Sequence, residues 1–104
     1  MIHICWDKKH GRVTVRGHAE DGQYGSNAIC AAASILTYTL AEGLEKLARQ
    51  EKLSCTVVLE DGYARLQCRE STPGARQLFA TVCRGYRLLA NTCPNQVEME
   101  TINA

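Results

Sequence analysis

The hydrophobic pattern of this chain changes from the period of a strand to the period of a helix twice within 104 residues. At the start, Ile2, Ile4 and Trp6 alternate with their neighbours, as the residues on one face of a half-buried strand do. A turn leads to a second alternating run around Val13 and Val15. The two runs together predict a hairpin.

A long helix is predicted after this hairpin. Its apolar residues recur at steps of three and four and form one stripe, which is typical of a helix packed on one side. Both Ser26 and Asn27 are suitable caps for its start, and the polar segment 19–25 before them is predicted to be a loop. The residues of the stripe are Ile29, Ala33, Leu36, Leu40, Leu44 and Leu47.

The same order of elements repeats in the second half of the chain. Two alternating runs, around Val57 and Leu66, are joined by Asp61-Gly62, which predicts a tight turn of the primed type. Thr72-Pro73 predicts the opening of a second helix. A short last strand is predicted near Val97.

The predicted order is ββαββαβ, and each helix needs a sheet to cover. We therefore expect a single domain over residues 1–104, of the α+β class, with an antiparallel or mixed sheet packed with two helices. Hydrophobic residues make up 45% of the chain, which is enough apolar surface to disfavour disorder.

The formal net charge is only +1, and lysines and arginines are spread along the sequence. A domain that binds nucleic acid through its phosphates usually carries a basic stripe, and none is visible. No stretch approaches the roughly 18 apolar residues that span a bilayer, and no targeting segment stands at the N-terminus. We expect a cytoplasmic protein whose partner is a protein rather than a nucleic acid or a membrane.

Six cysteines invite a disulfide framework, but thiols stay reduced in the expected cytosolic setting. No two of them lie two to four residues apart, the spacing of common zinc sites, so we expect no metal and no cofactor. Four fall within apolar patterns and are interpreted as small core residues. They are Cys55, Cys68, Cys83 and Cys93.

Cys30 differs because it lies near the predicted start of the first helix. With Asn27 as cap it is the third helical residue, where free backbone N–H groups and the helix dipole favour a thiolate and can hold an oxyanion. His18 ends the second strand, and the loop between the two residues can fold back to bring imidazole to thiol. The residues alone also allow an alternative to a catalytic pair, in which Cys30 is a packed thiol and His18 is an unrelated histidine of the loop.

Two regions of the sequence resemble the ribosomal-processing cysteine protease family, Prp. The first joins Gly17–Ala19 (GHA) to Gly25–Ser34 (GSNAICAAAS), and the second joins Gly85–Ala90 (GYRLLA) to Pro94–Val97 (PNQV). The resemblance implies a small ββαββαβ-like domain and a homodimeric endopeptidase with a Cys–His dyad. It also implies that the substrate is a short N-terminal extension of a large-subunit ribosomal protein. In this chain Cys30 matches the nucleophile and His18 the general base.

Other residues complete the predicted site. Ser34 matches a serine near the family's active site, although a small residue that permits close helix packing is an equal alternative. Asn27 stands where the family has Asp, and it either caps the helix or holds the catalytic imidazole. The loop is expected to close over bound peptide through Gly22 and Gly25, and Tyr24 is placed to touch that peptide.

Two other functions stay open at this point. One is a binding module that holds a ribosomal peptide and has lost turnover, to which Asn27 is a clue. The other is a thiol redox sensor at Cys30, although no resolving cysteine lies near it in sequence.

Overall fold

The computed structural model describes residues 1–19 and 26–104, and its elements follow the predicted order ββαββαβ. Two hairpins are each followed by a helix, and a last strand ends the fold. The elements are β1 (Ile2–Asp7), β2 (Arg12–Arg16), α1 (Ser26–Glu51), β3 (Cys55–Glu60), β4 (Tyr63–Cys68), α2 (Pro73–Thr92) and β5 (Val97–Ile102).

The strands form one five-stranded sheet in the order β3-β4-β2-β1-β5. Neighbouring strands are antiparallel except β1 and β5, which run parallel, with Ile4 opposite Met99. The parallel pair arises because β5 is reached only after the chain has crossed the sheet through a helix, the connection that parallel strands need. The sheet is therefore mixed, and the predicted α+β architecture is confirmed.

Both helices cover the same face of the sheet. Alternate strand residues such as Ile4, Val13 and Leu66 are buried beneath them, whereas Arg16 and Arg65 on the other face are exposed. This alternation follows from the pleat, which sends successive side chains to opposite faces. In the part of the chain that the structure describes, no helix is long and apolar enough to cross a membrane.

The predicted stripe of α1 faces this core. Ala33, Leu40 and Leu44 are buried, and the other stripe residues are partly buried against them. The second helix packs on both β5 and α1. Its buried residues are Ala75, Phe79, Val82, Cys83, Tyr86 and Ala90.

The predicted start of α2 is confirmed, whereas the turn type predicted between β3 and β4 is not. Thr72 caps α2 as predicted, and its Oγ1 accepts a hydrogen bond from the N–H of Ala75 at 3.1 Å. The primed turn predicted between β3 and β4 is wrong, because such a type I′ turn needs positive φ at both central residues. Gly62 has φ +72°, but Asp61 does not have a positive φ. Asp61 thus avoids the left-handed region, which is costly for a residue with a Cβ.

Candidate active site

One end of the sheet opens into a cleft of about 440 Å³ between α1 and the turn that joins β3 to β4. His18, Cys30 and Ser34 all line this cleft. His18 follows the end of β2, whereas Cys30 and Ser34 lie one turn apart on α1. The fold therefore brings together in one cavity three residues that the sequence marked for the site.

The backbone around His18 is held by two neighbouring segments. Gly17 has φ +93°, and a Cβ at this position would lie 2.2 Å from the carbonyl oxygen of Met1, so the close approach requires glycine. The N–H of Gly17 donates to the carbonyl of Gly62 at 2.9 Å, and the amino group of Met1 donates to the carbonyl of His18 at 2.7 Å. These contacts fix where the imidazole leaves the sheet.

The imidazole of His18 lies against the β3–β4 turn. A Cβ on Gly62 would stand 2.8 Å from His18 Nε2, so the absence of a side chain there makes room for the ring. The same nitrogen lies 3.7 Å from Oδ1 of Asp61. Both side chains are well exposed, at 58% for His18 and 98% for Asp61, so solvent screens their attraction.

Asp61 is a site residue that the sequence reasoning missed. The Asp61-Gly62 pair was interpreted only as a turn, and its position between two strands is correct. The hydrophobic pattern does not give the order of strands in the sheet. That order places β4 beside β2 and so brings the turn close to His18.

Cys30 lies deeper in α1 than predicted. The helix begins at Ser26, so Asn27 is inside its first turn rather than at its cap, and Cys30 is the fifth helical residue. Only the first four N–H groups at a helix start lack intrahelical partners, so they precede Cys30. Helical side chains tilt back toward the N-terminus, which is the direction in which those N–H groups lie. Both predicted caps, Ser26 and Asn27, therefore lie inside α1, and that prediction is wrong. Each is a good cap by residue type, so the residues alone did not indicate an earlier start.

A buried hydrogen-bonded pair lies behind the cleft. Thr37, which lines it, donates from Oγ1 to the carbonyl of Ala33 at 2.8 Å and lies 2.8 Å from the hydroxyl of Tyr86. Burial raises the pKa of the Tyr86 phenol, so it stays neutral and can donate its proton to Oγ1 of Thr37. This pair ties the cleft wall on α1 to α2. The sequence analysis missed Thr37 because it falls inside an apolar stripe.

Ser34 and Asn27 differ in their relation to the cleft. Ser34 is exposed and lines it, so the alternative role in close helix packing is not supported. Asn27 is exposed and is not among the described residues of the cleft lining. The predicted loop residues Gly22, Tyr24 and Gly25 lie outside the described residues.

Three other thiols lie in surroundings that oppose ionisation. Burial raises the pKa of Cys83 to about 12. Burial, with a hydrogen bond to Cys68 opposite it in the sheet, raises the pKa of Cys55 to about 12. Burial and the neighbouring Glu100 carboxylate raise the pKa of Cys5. Cys30 lines the same open cleft as His18.

One known protein family matches almost the whole chain. The family model described as cysteine protease Prp matches residues 1–98. No curated protein matches the chain.

Two solved structures are similar over nearly the whole chain. SMU.848 from Streptococcus mutans is 27% identical with a TM-score of 0.73, and the match covers 96% of this chain and 90% of that one. The essential ribosomal processing protease Prp from S. aureus, in complex with a covalently linked product peptide, is 16% identical with a TM-score of 0.76. That match covers 96% of both chains. At this identity the second likeness is one of fold.

Proposed function

Because the chain belongs to the cysteine protease Prp family, we propose that it is a cysteine endopeptidase with Cys30 as nucleophile and His18 as general acid and base. The observation that carries the proposal is that both side chains line the same cleft from different elements. The cleft is open enough to admit an extended peptide, and its volume of about 440 Å³ is that of a substrate site.

The proposed reaction is acyl transfer. The thiolate of Cys30 attacks the scissile carbonyl carbon, the C–N bond breaks, and protonated His18 gives its proton to the leaving amine. A water molecule, deprotonated by His18, then hydrolyses the thioester and restores the thiol. The N–H groups in the first turn of α1 are the proposed donors to the oxyanion, because helical side chains tilt toward the N-terminal end of the helix.

The proposed substrate is the N-terminal extension of a large-subunit ribosomal protein. Support comes from the family and from the fold-level likeness to the S. aureus ribosomal processing protease, which has also been solved in complex with a substrate peptide. Processing of a ribosomal protein fits a cytoplasmic location. We also propose a homodimer, since two-fold dimers are the commonest assembly of small domains.

The proposal is tested with a synthetic peptide that spans the junction of the extension in the host's ribosomal protein. The wild-type protein should cleave it at one bond, and Cys30→Ala should bind it without cleavage. Cys93→Ala, which removes a partly buried thiol outside the cleft, should cleave at the wild-type rate.

Cleavage by Cys30→Ala would contradict the proposal. Binding without cleavage by the wild-type protein would favour the peptide-binding module instead. Light scattering at micromolar concentration tests the proposed dimer. A monomer mass would contradict the dimer and leave the proposed protease activity unaffected.

A further inference from the structure

A second cleft lies at the opposite end of the sheet and shares no lining residue with the first. It has a volume of about 360 Å³ and lies between the β1–β2 turn, the chain after β4 and the first half of α2. Small-molecule sites commonly span roughly 300–1,000 Å³. The proposed protease mechanism makes no use of this space.

The rim of this second cleft is cationic, although the net charge of the chain is only +1. Within residues 1–19 and 26–104, no carboxylate forms an ion pair with any of the cations of the rim. Among the described residues of the lining, Glu70 is the one carboxylate, and both its oxygens accept from the N–H of Ser54, at 2.7 and 2.8 Å. The four cations are Lys8, Lys9, Arg69 and Arg76.

The floor of the second cleft is apolar and aromatic. Phe79 and Ala75 are almost fully buried beneath it, and Trp6 forms one side. Lys8 Nζ stands 5.3 Å from the centroid of the Trp6 ring, a cation–π distance that places the ammonium over this side. An apolar surface and a positive charge therefore meet in one cavity.

Arg76 is held at the rim by its own contacts. Its Nη1 donates to the carbonyl of Ser71 at 2.6 Å and to the hydroxyl of Ser71 at 3.1 Å. A guanidinium has five N–H donors, so these two bonds leave donors for an anion. Thr72 accepts a hydrogen bond from a backbone N–H at the start of α2. The positive charge of the second cleft is therefore assigned to the lysine and arginine side chains of its rim and not to the end of the helix.

We infer that the second cleft binds a small organic anion. Its apolar or aromatic body would pack on Trp6 and Phe79, and its carboxylate, sulfonate or phosphate group would pair with Lys8 and Arg76. Burial of the body removes apolar surface from water, and charge-assisted hydrogen bonds orient the anionic group. Nucleic acid fits less well, because the cations surround a single cleft and do not form a stripe that follows a phosphate backbone.

The single tryptophan of the chain makes the test direct. The indole N–H of Trp6 gives one resonance in a ¹H–¹⁵N spectrum, and titration with naphthalene-2-sulfonate should shift it until it saturates. The uncharged naphthalene-2-sulfonamide should bind about tenfold more weakly, the effect of one lost charge-assisted interaction.

Arg76→Gln and Lys8→Gln should each raise the dissociation constant of the sulfonate by about tenfold for the same reason. Arg84→Gln is the matched control, since Arg84 is an exposed arginine of α2 that does not line the cleft, and it should leave the constant unchanged. Inorganic phosphate alone should bind far more weakly than the sulfonate, because it has no apolar body.

Three results would each overturn the inference. They are the absence of a saturable Trp6 shift, equal affinity for the sulfonate and the sulfonamide, and equal affinity of wild type and both rim variants. Phosphate that binds as tightly as the sulfonate would also overturn it, because the apolar floor would then contribute nothing.

Discussion

His18 Nε2 lies 3.7 Å from Oδ1 of Asp61, on the turn that forms one wall of the cleft. A carboxylate at this distance stabilises the charged imidazolium. In the proposed mechanism the imidazolium is the acid that protonates the leaving amine. Asp61 is thus placed to stabilise the positive charge of His18 in that step.

We predict that Asp61→Asn lowers the rate of peptide cleavage, because the carboxylate stabilises the imidazolium that protonates the leaving amine. The loss of rate should be small because both groups are exposed, and it should shrink as salt is added. Glu60→Gln is the control, since Glu60 also lines the cleft but forms no ion pair with His18 within the described residues. A cleavage rate for Asp61→Asn equal to that of wild type at low salt would mean that Asp61 serves only the turn.

A second prediction concerns the glycine beneath the imidazole. Gly62→Ala would place a Cβ 2.8 Å from His18 Nε2 and would strain a residue at φ +72°. Displacement of a catalytic group by about 1 Å can cost on the order of a hundredfold in rate, so peptide cleavage should fall by about that factor.

Gly11→Ala is the control that separates displacement of the His18 imidazole from backbone strain. Gly11 has φ +58° and its Cβ would meet the carbonyl of Cys68 at 2.9 Å, at the other end of the sheet. Both variants should lower the melting temperature, but only Gly62→Ala should lose activity per folded molecule. Equal activities would show that the contact of Gly62 with His18 does not position the imidazole.

The order of elements could be predicted because the hydrophobic period is a local property. The sheet order could not, since it depends on which strands meet after the chain has folded, and Asp61 was missed for that reason. Asp7 shows the same limit, since its alternation with Ile2, Ile4 and Trp6 predicts an exposed residue, yet it is only 3% exposed. Its partner Asn103 is 96 residues away, so no local pattern could pair them.

The pairing of His18 with Cys30 was predicted from a family motif rather than from physics. A cysteine near a helix start and a histidine after a strand are common by themselves. Their joint presence in one cleft depends on the chain around Gly17, which is fixed by contacts with Met1 and Gly62. The buried hydrogen bond of Thr37 has no sequence signature because threonine is also tolerated in an apolar stripe.

A third prediction concerns thiol reactivity. Iodoacetamide at neutral pH should modify Cys30 before the other cysteines, because it reacts with thiolates and the raised pKa values of Cys55 and Cys83 leave those thiols protonated. Cys93 is the useful comparison, because it is partly buried like Cys30 but caps the C-terminal end of α2, where the helix dipole disfavours an anion. Mass spectrometry of digests taken over time measures the order, and equal rates at Cys30 and Cys93 would contradict an activated nucleophile.

A fourth prediction concerns acid stability. Burial by itself would raise the pKa of the Asp7 carboxyl, but hydrogen bonds from Asn103 and His10 lower it below its ordinary value of 3.8. A carboxyl with a lowered folded-state pKa stabilises the fold fully above its unfolded value and loses that effect as pH falls through the folded value.

Asp7→Asn should therefore lower the melting temperature at pH 7, and the difference from wild type should narrow below about pH 4. Glu98→Gln, which removes an exposed carboxylate 2.6 Å from His3, should change the melting temperature little at either pH. A difference for Asp7→Asn that stays constant down to pH 2 would mean that its charge is not what stabilises the fold.

The last prediction concerns Asn27, which stands where the family has an acid. Since α1 begins at Ser26, Asn27 is an exposed first-turn residue, and α1 has no acid in that turn. Asn27→Asp should stabilise the protein by about 0.3–1 kcal/mol through the helix dipole. Gln50→Glu, the same charge change in the last turn of α1, should destabilise it.

Asn27→Ala distinguishes a first-turn residue from a cap. Alanine is the better helix former by up to about 0.7 kcal/mol, so stability should hold or rise, whereas loss of a cap would cost about 1 kcal/mol. The pH–rate profile of Asn27→Asp should match that of wild type, because Asn27 is outside the described lining of the cleft. A profile that moves would show that residue 27 acts on His18, and the acid of the family would then have a catalytic role that this chain has lost.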